Sequence, residues 1–89
     1  MNEISNNIDV LKDTNFRELK DLNLHHNNIS NIKVLKKVKF DKLEILDLGF
    51  NKISNINILE KANFKKLKEL ILSYNNISDI KVLEKVKFD

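Results

Sequence analysis

His26, Phe50 and Tyr74 stand 24 residues apart, one ring in each of three look-alike segments. Rings repeated at a fixed interval suit recognition. An exposed aromatic side chain brings a large, rigid contact area to an interface. Ile45 and Ile71 add apolar area at neighbouring positions, while Asn23 and the carboxylates of Asp21, Asp47 and Glu69 supply a polar, acidic fringe. Such a set suits a protein partner that offers an apolar or basic patch. The same rings have a second use: packed on one another, they would cover a turn and contribute only stability.

Residue types that commonly carry catalysis or hold metals are not assembled in this chain. Cysteine is absent, which removes thiolate chemistry, disulfides and the sulfur ligands of zinc. His25 and His26 are adjacent, and neighbours on a strand face opposite sides, so the pair does not close on one ion. One of them is instead placed to approach Asp47 across the neighbouring strand, a weak surface contact. There is no glycine-rich phosphate loop, no His-Glu-x-x-His motif and no nucleophile set beside a base and an orienting group. The expectation is no enzymatic activity, no cofactor and no metal.

A further face is crowded with lysine: Lys33, Lys36, Lys37, Lys39, Lys42, Lys61, Lys65, Lys66, Lys81, Lys85 and Lys87. Lysines so placed suggest RNA or phosphate binding. Asp41, Glu60 and Glu84 interrupt them, no aromatic residue is interleaved, and Arg17 is the single arginine. The formal net charge of +3 is small beside 33% charged residues, so both signs are interspersed and a solvated surface is the plainer reading.

These residues owe their places to a repeat. Phe16, Phe40, Phe64 and Phe88 recur every 24 residues, as do Leu24, Leu48 and Leu72, and Asn27, Asn51 and Asn75. Like units that cannot bury their own apolar faces stack on one another. The units are 16–39, 40–63 and 64–87, with a partial unit over 1–15 and the start of another at 88–89, together a single domain over 1–89. Inside each unit the period changes. Leu22-Asn23-Leu24 alternates like a short strand. Ile29, Ile32 and Leu35 then recur every three residues, like a 3-10 or α-helical segment. Ser30, Ser54 and Ser78 stand where helix N-caps are expected.

The pattern Leu19-x-x-Leu22-x-Leu24-x-x-Asn27-x-Ile29-x-x-Ile32-x-x-Leu35 resembles the leucine-rich repeat, and three copies cover nearly the whole chain. The resemblance implies an α/β fold: a right-handed β/α solenoid with three parallel concave strands and short convex helices or 3-10 segments. It implies that the amides of Asn27, Asn51 and Asn75 form a buried ladder between successive turns. It also implies protein–protein recognition through the concave strands, where His26, Phe50, Tyr74, Asp21, Ile45, Glu69, Asn23, Asp47 and Ile71 are the candidate contact residues. The Ile-x-x-Ile-x-x-Leu segment is similar to internalin and phosphatase-regulator repeats, and the added Val-x-Phe of the longer unit suggests a longer convex helix.

The polar start, the missing cysteines and the absence of a long apolar run suit an intracellular, cytoplasmic protein without a membrane segment. Abundant Asn, Lys and Ile point to an AT-rich genome. Neither end carries a visible cap, so the chain reads as a piece of a longer array, or as one whose ends pair with other copies into a homo-oligomer. A structural spacer and a basic-face nucleic-acid binder remain as the other functional readings.

Overall fold

The computed structural model describes residues 16–89; the partial unit read over 1–15 lies outside them. Five short strands and three 3-10 helices follow one another: β1 (Asp21–Asn23), a first 3-10 helix (Lys33–Lys37), β2 (Lys39–Phe40), β3 (Ile45–Asp47), a second 3-10 helix (Asn57–Lys61), β4 (Asn63–Phe64), β5 (Glu69–Ile71) and a third 3-10 helix (Lys81–Lys85). Strands β1, β3 and β5 form a parallel sheet in that order. The register is that of the repeat: Leu22 lies beside Leu46, and Leu46 beside Leu70. Parallel neighbours require a long crossover, and each crossover here runs through a 3-10 helix and a second extended segment.

Alternation decides which side chains enter the core. Leu22, Leu24, Leu46 and Leu48 are buried, and Asn23 between the first two is exposed. Past the strand, Ile29, Ile32 and Leu35 are buried at the three-residue spacing of a 3-10 turn, as are Ile53, Ile56 and Leu59. The middle unit is the most enclosed, because it has a like unit on each side. Its leucines Leu43, Leu46 and Leu48 are fully buried, whereas Leu70, Leu72 and Ile77 of the third unit are only partly so.

Two expectations are corrected. The convex helix is not lengthened by Val-x-Phe. It ends at Lys37, and Val38 is extended (φ −95°, ψ 137°). Val38 and Phe40 are buried while Lys39 is exposed, which is strand alternation, and β-branched Val38 favours it. The result is a second parallel sheet, β2 with β4, pairing Phe40 with Phe64. The phenylalanines stack along it: Phe16 on Phe40 at 6.2 Å and Phe40 on Phe64 at 5.5 Å between ring centres.

The second correction concerns Ser30, Ser54 and Ser78, which are not caps. The helices begin after Ile32, Ile56 and Ile80, and none of these cap positions makes a side-chain hydrogen bond. The residue after each serine does that work. Asn31 Oδ1 accepts from the Lys33 N–H at 2.9 Å, Asn55 Oδ1 from Asn57 N–H at 2.9 Å, and Asp79 Oδ1 from Lys81 N–H at 3.0 Å. An Asx side chain is of the right length to reach the amide two residues on.

The asparagine column is a polar ladder inside the apolar stack. Asn51 Oδ1 accepts from the N–H groups of Asn27 and Ile29, at 3.0 and 2.9 Å. Its Nδ2 donates to the carbonyls of Leu24, Leu48 and Gly49, at 3.0, 3.0 and 3.1 Å. One side chain thereby ties its own turn to the turn before it. Asn75 repeats the arrangement, donating to Leu48 and Leu72 and accepting from Ile53.

Candidate interaction surface

The three-stranded sheet and the turn that follows it place the candidate contact residues in rows. In the first row Asp21, Ile45 and Glu69 are paired side by side. Ile45 is half-buried between two exposed carboxylates. In the second, Asn23, Asp47 and Ile71 are side by side, and the two polar members are already engaged. Asn23 Oδ1 accepts from the His25 backbone N–H at 3.1 Å, and Asp47 Oδ1 from the Gly49 N–H at 2.9 Å. They hold the chain as it leaves the strand. The other oxygen of Asp47 lies 3.2 Å from His25 Nδ1. Ile71 has no polar group for this task and is half-buried.

Position 49 lies on the same turn as the ring at position 50. Gly49 is buried, not open to solvent. A Cβ there would lie 3.2 Å from Asp47 Oδ1 and 3.5 Å from the Ser73 carbonyl. Asp47 cannot readily yield, because Gly49 and His25 both hold it. Gly49→Ala is expected to cost about 1 kcal/mol through overpacking, read as a lower midpoint in thermal melting; a raised midpoint would show that Asp47 moves aside freely.

His26, Phe50 and Tyr74 lie on the turn, three residues past the ends of β1, β3 and β5. The rings form one continuous stack, His26 on Phe50 at 4.3 Å and Phe50 on Tyr74 at 4.4 Å, with interplanar angles of 17° and 10°. His25 meets His26 edge-on at 5.1 Å. Phe50 remains 45% exposed and Tyr74 74% exposed, so stacking leaves the ring edges and the outer face of Tyr74 toward solvent.

All three ring residues have left-handed backbone, with φ of 59°, 56° and 58°. For a residue with a side chain this conformation costs roughly 1–2 kcal/mol, and glycine would adopt it freely. Spacing revealed the lane but not this strain, which a reading by residue type does not register. The backbone follows from neighbouring bonds: His26 N–H donates to the Gly49 carbonyl, Phe50 N–H to that of Ser73, and the asparagine after each ring docks into the ladder.

The lysine-bearing side is partly neutralised. Lys42 pairs with Glu18 at 2.9 Å, Lys65 with Asp41 at 3.4 Å and Lys85 with Glu60 at 3.7 Å. Among the described residues no cluster of three or more His, Asp or Glu is arranged to hold a metal ion, and no helix is long and apolar enough to cross a membrane.

Residues 17–61 match the family model for leucine rich repeats in two copies, and residues 66–85 match that for a single leucine rich repeat. No curated protein matches the chain. Leucine-rich repeats are in general protein–protein interaction modules and are typically not enzymes.

Proposed function

The chain belongs to the leucine-rich-repeat family, and from that premise we propose that it is a protein-recognition module whose contact surface is the aromatic lane together with the adjoining strand rows. The chain is a single right-handed β/α solenoid domain, with the crossover hand that parallel strands adopt and the β1–β3–β5 sheet on its concave side. A chain of 89 residues without cysteine is at home in the reducing cytoplasm.

The observation that carries this reading is a file of three stacked rings held in costly left-handed backbone and still open to solvent. Strain of this kind gathers at functional sites. Ile45 and Ile71 continue the apolar surface, and Asp21 and Glu69 on either side of Ile45 favour a partner with an apolar residue near basic ones.

Phe50→Ala with Tyr74→Ala tests it. The variant keeps the backbone strain and loses the rings. Immobilised protein is expected to retain a partner from cell extract, and the double variant to lose that capture by at least about tenfold, as removal of aromatic anchors does, with an unchanged circular-dichroism spectrum. Capture that survives both substitutions, with only the melting temperature lowered, would assign the rings to stability alone.

A further inference from the structure

We propose that the groove between the first and second 3-10 helices is a second binding site, shaped for an acidic protein segment: a stretch of aspartate or glutamate carrying one apolar side chain. This groove has a volume of about 390 Å³. It lies on the helix side of the stack and uses none of the residues assigned to the aromatic lane.

Its floor is apolar. Ile32 is buried beneath it, and Ile58 is only partly covered. The equivalents of Ile58 in the other units are Val34 and Val82, which are 4% and 6% exposed. The larger side chain at this one position leaves apolar surface standing in the groove, where a partner's aliphatic side chain can cover it.

Its walls are mainly cationic. Lys33, Lys36 and Lys61 line the groove, and none of them is in an ion pair among the described residues. The carboxylate that lines it, Glu60, is drawn to Lys85 of the next unit at 3.7 Å. The neutral groups add hydrogen-bond donors to these cations. Asn31 and Asn55 have their Oδ1 atoms occupied by the N–H groups of Lys33 and Asn57. Each also offers a ligand its donating Nδ2. A surface of ammonium and amide donors around an aliphatic floor complements carboxylates flanking an aliphatic residue.

Nucleic acid is the weaker fit. No aromatic side chain lines the groove to stack a base, and no arginine lines it to grip a phosphate with two parallel bonds. The isoleucine floor has no counterpart in a phosphodiester backbone.

The test is fluorescence anisotropy with a labelled peptide in which one leucine is flanked on each side by glutamates. Saturable binding is expected. It should weaken by about tenfold or more when the glutamates become glutamines, since charge-assisted bonds are the stronger ones. It should weaken comparably in the protein variants Lys36→Gln and Lys33→Gln/Lys61→Gln, and less in Ile58→Ala. These exposed lysines are expected to leave the melting temperature unchanged. Phe50→Ala/Tyr74→Ala should bind the peptide as wild type does, so failure here and failure of the aromatic-lane reading are separable. The proposal is overturned by no saturation up to about 1 mM, the weak end of specific affinity. It is equally overturned by affinity indifferent to the glutamine exchange or to the lysine variants, or by a single-stranded oligonucleotide that binds as tightly at the same salt.

Discussion

Phe40→Ala is expected to remove a large share of the stability of this chain. The ring is fully buried and lies between Phe16 at 6.2 Å and Phe64 at 5.5 Å, so its removal opens a cavity touching three successive units. Truncating a buried phenylalanine costs about 3–5 kcal/mol. A chain of this size has a total stability of roughly 4–13 kcal/mol, at about 0.05–0.15 kcal/mol per residue. Urea denaturation should therefore show a much lower midpoint with a similar slope. Phe64 provides the comparison. It belongs to the same stack but is only partly buried, so Phe64→Ala should cost clearly less, and Phe40→Leu should recover part of the loss. A ranking with Phe64→Ala as the worse variant would move the centre of the core away from β2.

The stack of phenylalanines also shows where the sequence was readable. A 24-residue interval carries the register without further information: once Leu22 and Leu46 are equivalent, they are neighbours, and so are Asn27 and Asn51. Alternation through Leu22-Asn23-Leu24 and the threefold step from Ile29 to Leu35 each name their element, because a strand and a 3-10 turn expose side chains with different periods. Val38-Lys39-Phe40 was legible by the same rule. Its alternation is obscured because Val38 also continues the three-residue spacing from Leu35, so one residue fits both periods.

The capping residue was less accessible. Serine and asparagine are both good acceptors near a helix start. Ser30 and Asn31 are adjacent, and only the geometry of the turn chooses Asn31. The reason for glycine at position 49, the close approach of Asp47 and Ser73, depends on side chains from two units and is not visible in the repeat spacing. Strain in the ring lane was hidden because phenylalanine and tyrosine, at positions 50 and 74, do not announce a positive φ. The lysine-lined groove depends on where one carboxylate leans. Glu60 interrupts the lysines in sequence, and in space it lines the groove while leaning toward Lys85.

Asn51→Ala should cost about as much as the loss of Phe40. The amide is buried, and its two halves satisfy different backbone groups. Of the carbonyls it serves, that of Gly49 also accepts from His26 N–H, and that of Leu48 also accepts from Asn75. The N–H groups of Asn27 and Ile29 point at Asn51 Oδ1, and an alanine methyl offers them nothing. Two buried donors left unpaired cost about 1–3 kcal/mol each, so a loss of about 2–6 kcal/mol is expected in the denaturation midpoint. Asn75 is only partly buried, where water can replace the missing acceptor, and Asn75→Ala should cost less. Asn51→Asp separates the halves of the amide: it keeps the acceptor but turns a second oxygen toward the three carbonyls. If the acceptor alone mattered, the aspartate variant would be as stable as the parent. With the donor equally required, it should melt far below the parent. Equal midpoints for Asn51→Ala and the unaltered chain would remove the ladder as the device that joins one unit to the next, leaving the apolar columns to hold the stack alone.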